Sequence, residues 1–169
     1  MGARGGRGKG KWPGTVREIG SPMATPRYLH LAPGSVPPDL SGIAPFKAVL
    51  VAECEVAPEW RSQVCDCLVR SGCLYAVAWG VKCEAWHDDV DLAHIAMFNY
   101  EPAPDDKFVM TSWHEGEPLS EAFWFAAMCA WHPTIELEAW IVHIASESNE
   151  AGLLAAYRSA QKSDDDAPK

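Results

Sequence analysis

The chain has 169 residues, 48% of them hydrophobic, and a formal net charge of -9. This size and composition suit one globular domain with a sizeable core. Because no apolar run approaches the ~20 residues that a membrane span needs, and because no apolar segment of a secretory signal follows the N-terminal charges, we expect a cytoplasmic protein without membrane contact.

The charge is unevenly distributed along the chain. Residues 1–40 contain six Lys/Arg against two Asp/Glu, whereas the rest contains eight against 21, a net charge near -13. An acidic body repels phosphate backbones, so we expect no nucleic-acid binding by the folded domain.

Composition divides the chain into four segments. Residues 1–22 are basic and rich in Gly and Arg, which predicts a disordered tail or an upstream extension of the coding sequence. Residues 23–44 are predicted to be an extended Pro-rich lead-in, residues 45–161 a single α/β domain, and residues 162–169 a second disordered tail.

Strand-like and helix-like segments alternate through the predicted domain. Short apolar runs predict strands, and longer segments with apolar residues at helical spacing predict helices. In chain order these are strand 46–53, helix 58–72, strand 73–80, helix 87–98, strand 107–114, helix 117–132, strand 138–145 and helix 148–161. Such alternation indicates an α/β fold with three layers, a mainly parallel four-stranded sheet between helices. The favoured strand order is 2-1-3-4, an abbreviated doubly wound sheet.

Three Trp-His pairs stand out, at Trp86-His87, Trp113-His114 and Trp131-His132. Ligands of open α/β sheets bind beyond the carboxyl ends of the strands. The first pair lies just past the strand predicted at 73–80 and the second ends the strand predicted at 107–114, so both belong to that edge. The third lies at the far end of a helix about 20 Å long, so it is expected at the opposite edge. Two pairs can therefore share a site.

The ligand-binding edge is predicted to be acidic and rich in Trp and His. Its expected binding residues are Trp79, Cys83, Glu84, Trp86, His87, Asp88, Asp89, Trp113, His114, Glu115 and Glu117. In the favoured strand order, Glu53 and Cys54 face His114 and Glu115 across the switch point. These four residues are the candidate catalytic groups, and His114 is the expected centre.

Several chemistries compete for this edge. Cys83, His87, His114 and Glu115 are competent zinc ligands, but their spacing matches no standard site and Cys83 is expected to precede its helix, so no metal site is predicted. Cys54 or Cys83 beside His114 could form a nucleophilic pair, which the surrounding acids disfavour. A carboxylate beside His114 could serve general acid-base hydrolysis. No cofactor is predicted, since no Gly-rich phosphate loop is present.

The remaining cysteines and histidines are expected to be structural. All six cysteines are predicted to be reduced and mostly buried, because a chain of this size with a large core does not need disulfides and the cysteine spacing fits no zinc ribbon. His143, in an apolar strand, and His94, on an apolar helix stripe, are predicted to be satisfied core histidines.

Three segments carry a resemblance: "CLYAVAWGVKCEAWHDDVDLAHI", "DDKFVMTSWHEGEPLSEAFWFA" and "WHPTIELEAWIVHI". Residues 45–160 resemble a family of small uncharacterised bacterial domains, and the Trp113-His114-Glu115 motif leading into Glu117 is its most specific part. The resemblance implies a bacterial, cytoplasmic, single-domain protein and no mechanism.

The sequence favours a non-enzymatic binding or regulatory module over an enzyme. Its partner would be another protein or a small cationic or aromatic ligand, because Trp faces attract cations. A small hydrolase that uses His114 is the alternative. The exposed sheet edges are compatible with a monomer or a homodimer.

Overall fold

The computed structural model describes residues 24–162. The expected N-terminal tail and all but the first residue of the expected C-terminal tail lie outside this range. No helix in the described range is long and apolar enough to cross a membrane.

Five strands and four helices build the domain. The strands are Arg27–Leu31 (β1), Phe46–Ala52 (β2), Cys73–Gly80 (β3), Met110–His114 (β4) and Glu138–Ile144 (β5). The helices are Pro58–Arg70 (α1), Cys83–Met97 (α2), Leu119–Met128 (α3) and Glu150–Lys162 (α4), and a 3-10 turn at Asp105–Lys107 precedes β4.

All neighbouring strands are parallel, and the sheet order is β1-β5-β2-β3-β4. One face of the sheet is covered by α1 packed against α2, and the other by α3 packed against α4. The predicted α/β class and the helices on both faces are therefore confirmed.

The predicted number of strands is wrong, because the structure has a fifth. β1 lies in the segment expected to be only an extended lead-in, and it pairs with β5 from Arg27 opposite Trp140 to Leu31 opposite Ile144. Its sequence, RYLHL, is short, and prolines flank it at positions 26 and 33. A short strand without a continuous apolar run gives little periodic signal.

The predicted order 2-1-3-4 is also wrong. That order places residues 107–114 beside 46–53, but β3 separates β4 from β2. The helices explain the difference: α1 and α2 cover the same face, so β2, β3 and β4 follow one another outward. The chain then crosses back through α3 on the other face and places β5 beside β2.

The core lies on both faces of the central strands. Every residue of β2 is buried, which fits the continuous apolar run typical of a strand covered on both sides. Pro58 occupies the first turn of α1, where a missing amide hydrogen costs little. Gly72, with φ +104, turns the chain from α1 into β3, a backbone conformation that glycine adopts without steric cost.

Two helix boundaries differ from expectation. α2 begins at Cys83, directly after Lys82 in the left-handed conformation, so the expectation that Cys83 precedes the helix is wrong. α3 ends at Met128 rather than near residue 132. At that end the ammonium of Lys47 donates to the carbonyl oxygens of Ala126 and Ala130, which favours termination because the last carbonyls of a helix need partners.

Candidate functional site

The parallel arrangement brings the carboxyl ends of all five strands to one edge. There a row of paired residues crosses the sheet from β1 to β4: His30, His143, Val51, Trp79 and His114. Residues paired across neighbouring strands point to the same face, and Val51 and Trp79 pack on the face covered by α3 and α4. Three imidazoles and an indole therefore share this face at the carboxyl edge.

A cleft of about 560 Å³ opens at this edge. Its walls come from the ends of β2, β3 and β4 and from the turn after β4. The lining residues are Ala52, Glu53, Trp79, Gly80, Val81, His114, Gly116 and Glu117. Four of these, Glu53, Trp79, His114 and Glu117, were singled out from the sequence.

His114 and Glu117 form one wall of the cleft. The His114 side chain is 9% exposed, and its Nδ1 lies 2.8 Å from Glu117 Oε2, whose side chain is 49% exposed. The other ring nitrogen, Nε2, lies 3.3 Å from Ser112 Oγ. The ring packs against Phe125 of α3 at a centroid distance of 4.8 Å. His114 is thus a fixed group that positions a half-exposed carboxylate.

Glu53 lines the opposite wall of the cleft, and His143 of β5 lies behind it. His143 is fully buried, and its Nε2 lies 3.1 Å from Glu53 Oε2, whose side chain is 47% exposed. The angle does not make a well-aligned hydrogen bond, and Nε2 has no other hydrogen-bond partner within residues 24–162. The expectation of a fully satisfied core histidine therefore fails at this nitrogen. Each wall of the cleft therefore presents a half-exposed carboxylate with a buried imidazole beside it.

Tyr28 orients His143 from β1. Tyr28 Oη lies 2.7 Å from His143 Nδ1 and accepts a hydrogen bond of 2.9 Å from the Asn149 amide. Burial raises the pKa of the Tyr28 hydroxyl, the Asn149 amide lowers it, and the Glu150 and Glu53 carboxylates raise it. The phenol therefore keeps its proton at neutral pH and can donate it to Nδ1. Nδ1 of His143 is thus engaged by Tyr28, and Nε2 is the ring nitrogen that faces Glu53.

Trp79 lies between the two walls. It belongs to β3, which runs between β2 and β4, and its indole Nε1 donates to the backbone carbonyl of Glu117 at 2.7 Å. This bond fixes the ring and also attaches the turn after β4 to the end of β3.

Gly80 permits a close approach of β2 and β3 at the floor of the cleft. Its φ is +97, and a Cβ built there would lie 2.1 Å from the backbone oxygen of Ala52. The same oxygen accepts a hydrogen bond from the amide of Val81 at 2.8 Å. A residue with a side chain cannot occupy this position without moving the backbone.

The two edge Trp-His pairs do not form one site. Trp113 and His114 are consecutive in β4, so the pleat sends them to opposite faces. Trp113 packs against His87 of α2 at a centroid distance of 4.6 Å. His87 Nδ1 lies 2.9 Å from Asp88, and its Nε2 lies 3.5 Å from Asp91. The structure joins Trp113 to His87 and places His114 on the other side of the sheet.

The other residues predicted for this edge lie outside the cleft. Cys83 and Trp86 are buried, and Trp86 packs edge-on against Trp60. Asp89 pairs with Arg61 at 2.7 Å. Glu84 and Glu115 are exposed and do not line the cleft.

Neither candidate cysteine completes a nucleophilic pair with His114. Burial raises the pKa of the Cys83 thiol, although amide hydrogen bonds lower it, and this favours the unreactive thiol form. Cys54 Sγ faces the carbonyl oxygen of Ile144 on β5 at 3.9 Å, on the side away from β4. All six cysteines are free thiols. In the described part of the chain, no three His, Cys, Asp or Glu residues come together as a metal site.

The Trp131-His132 pair lies at the opposite edge of the sheet. It lines a separate cavity of about 510 Å³ with Lys47, near the amino end of β2. Trp131 is exposed and His132 is buried. This pair is remote from the cleft because α3 runs back across the sheet.

Three residues at the carboxyl edge were not predicted from the sequence to belong to it: Tyr28, His30 and His143. Tyr28 and His30 lie on the strand that was not predicted. His143 was placed in a strand, but its nearness to the carboxyl end of that strand was a usable signal. A histidine one residue before the last strand position can reach the ligand edge from the core.

A family model described as "Domain of unknown function (DUF7684)" matches residues 26–160. The chain belongs to this family. No curated protein and no solved structure matches the chain. The DUF7684 match begins just before β1 and ends within α4, so it includes all five strands and both walls of the cleft.

Proposed function

We propose that this protein is a non-enzymatic binding module whose cleft takes a small ligand with a protonated amine. One observation carries the proposal: Glu53 and Glu117, both half-exposed, line the same cleft on either side of Trp79. No lysine or arginine is among the lining residues. Two carboxylates in a cleft lined by no lysine or arginine favour a cation.

The surroundings strengthen this preference. Within residues 24–162, the charged-group contacts of Glu117 and Glu53 are with the imidazoles of His114 and His143, and no ion pair joins either carboxylate to Lys or Arg. A cleft of one charge sign concentrates oppositely charged ligands. The face of the Trp79 indole adds an attraction of about 0.5–1 kcal/mol for a cation at a solvent-exposed site.

The cleft is also largely preorganised. The Trp79 indole is fixed by the Glu117 carbonyl, and the Glu117 carboxylate is fixed by His114. Groups that are ordered before binding lose little conformational entropy when the ligand arrives. The preorganised cleft therefore supports binding of a small ligand. We also propose that the module resides in a reducing cytoplasm, which fits its six free thiols.

A titration followed by two-dimensional amide NMR tests the binding function. Butylamine or putrescine is expected to shift the amides of Gly80, Val81 and Gly116 saturably, whereas butyrate, an anion with the same number of carbon atoms as butylamine, is expected to leave them in place. Equal shifts with amine and butyrate, or no shifts with either amine, would show that the cleft does not select cations.

A hydrolase is the second candidate, favoured by a chain of contacts from Ser112 through His114 to Glu117. Ser112 Oγ, His114 Nε2, His114 Nδ1 and Glu117 Oε2 follow one another at 3.3 Å and 2.8 Å, the order of a nucleophile, base and orienting acid. Ser112 lies within β4 and not in the cleft lining, so the binding module ranks first. Turnover of a small aryl ester that Ser112→Ala abolishes while the fold is kept would reverse the ranking.

A further inference from the structure

We infer that the ligand is a linear aliphatic diamine, held at one ammonium by Glu53 and at the other by Glu117. This inference rests on the proposed amine-binding function and narrows it to one chemical class. It follows from the arrangement of carboxylate, indole and carboxylate across three neighbouring strands.

The spacing of the strands sets the separation of the two anchors. Glu53 directly follows β2, and Glu117 follows β4 by three residues, with β3 between them. Neighbouring strands lie about 4.8 Å apart, so the backbones of β2 and β4 are roughly 10 Å apart. The Glu53 carboxylate lies beside His143 of β5 and the Glu117 carboxylate beside His114 of β4, on the outer sides of this span. One ammonium cannot contact both carboxylates across this span, but the two ends of a short diamine can.

The surface of the cleft between Glu53 and Glu117 suits methylene groups. Ala52, Trp79, Gly80, Val81 and Gly116 line it and carry no ionised side chain. The indole of Trp79 is held in place by its hydrogen bond to the Glu117 carbonyl. An alkyl chain can lie along this surface while its charged ends reach the two carboxylates.

His143 supplies an independent indication of a ligand. Its side chain is fully buried, and its Nε2 points toward Glu53 without a well-aligned hydrogen bond in the described range. Native proteins rarely leave such an atom unsatisfied without a reason. A cation on the outer side of Glu53 would draw the carboxylate into one orientation, and Nε2 could then donate to it in line.

A ligand that carries two ammonium groups can bind more tightly than either group alone. A single solvent-exposed ion pair contributes little, so a monoamine should bind weakly at either end. Once one ammonium of a diamine is bound, the second meets its carboxylate at a high effective concentration. Removing either carboxylate should therefore reduce a diamine to the affinity of a monoamine.

Isothermal titration calorimetry of the full chain with putrescine and butylamine tests the inference. We expect putrescine to bind at least tenfold more tightly than butylamine at low salt. Glu53→Gln and Glu117→Gln should each remove this difference, and raising the ionic strength should shrink it because salt screens exposed charges. Glu115→Gln is the matched control, since Glu115 is an exposed acid of the same edge outside the cleft, and it should preserve the difference.

The diamine inference and the amine-binding function fail on different results. Equal affinities for putrescine and butylamine, both above that for butyrate, would overturn the diamine and leave the amine-binding function standing. No binding of either amine would overturn both. A putrescine preference that survives Glu53→Gln or Glu117→Gln would also overturn the inference, because it would show that the second ammonium lies elsewhere. Thermal unfolding of each variant confirms that it is folded.

Discussion

Tyr28 and His143, 115 positions apart, are joined by a 2.7 Å hydrogen bond between Tyr28 Oη and His143 Nδ1. This bond connects β1 to β5 and orients the imidazole that faces Glu53. The strand that the sequence did not reveal therefore supports one wall of the cleft.

Removing the Tyr28 hydroxyl should destabilise the domain. Tyr28→Phe leaves His143 Nδ1 and the Asn149 amide without this partner, and an unsatisfied buried polar group costs about 1–3 kcal/mol. We expect the free energy of unfolding, measured with urea, to fall by about 1–2 kcal/mol. Tyr100→Phe, at a position that is 81% exposed, is the control and should change little. Equal effects of the two substitutions would contradict a role for the Tyr28 hydroxyl.

Gly80 should tolerate no side chain. Gly80→Ala introduces a Cβ 2.1 Å from the Ala52 oxygen at a positive φ, so the backbone of β2 or β3 must move. A loss of more than about 3 kcal/mol is expected, beyond the ~1 kcal/mol cost of a left-handed alanine. Gly34→Ala isolates that smaller cost, since Gly34 has φ +78 but open space around it. Similar losses in urea unfolding for both variants would refute the close contact.

The ammonium of Lys47 should stabilise the end of α3. It donates to the carbonyl oxygens of Ala126 and Ala130, and a positive charge also suits the carboxyl end of a helix. Lys47→Met keeps much of the aliphatic chain and removes these donors. We expect a loss of about 1–3 kcal/mol in the free energy of unfolding. Arg70→Met, at an exposed pair on α1, should cost far less, and a larger loss there would count against the assignment.

His94 should make the fold sensitive to acid. Burial lowers the pKa of His94, although Asp91 raises it, and its Nδ1 has no partner in the described range. The expectation of a satisfied core histidine is therefore wrong at this atom. The unfolded chain binds the proton more readily, so the contribution of the neutral ring is complete above an unfolded pKa near 6.5. It is lost as pH falls toward the lower folded pKa.

A substitution isolates this effect. His94 packs between Phe98 and Phe108 at centroid distances of 5.4 and 5.3 Å, so His94→Leu should keep much of the packing. Urea unfolding at pH 7.5 and pH 5.5 should show a smaller loss on acidification for the variant than for the natural chain. An identical loss in both proteins would assign the acid sensitivity to other groups.

The sequence predicted the class of the fold because its signals are local. The apolar run of β2 and the turn at Gly72 depend on neighbouring residues alone, and both were found where expected. Strand order depends on which face each helix covers, which is a long-range property. β1 has no strong pattern of its own, because its place is set by pairing with β5, more than 100 positions away.

The site was predicted in part for the same reason. The rule that ligands bind at the carboxyl ends of parallel strands predicted the correct edge of the sheet. The predicted residues that line a cleft there are Glu53, Trp79, His114 and Glu117. The pleat of β4, which sends Trp113 and His114 to opposite faces, could have been applied from the sequence and would have divided the two Trp-His pairs. The contact of Glu53 with His143 could not be predicted from the sequence, because it requires that β5 lies beside β2.

The most direct test of amine binding follows the indole N–H of Trp79, which lies between the two carboxylates. Its NMR signal, assigned with Trp79→Phe, should shift saturably on titration with putrescine, whereas the signal of Trp131 at the opposite edge should not move. The account predicts that this shift disappears in the Glu53→Gln, Glu117→Gln double variant. A Trp79 signal that does not respond to putrescine, or that responds equally in the double variant, would contradict it.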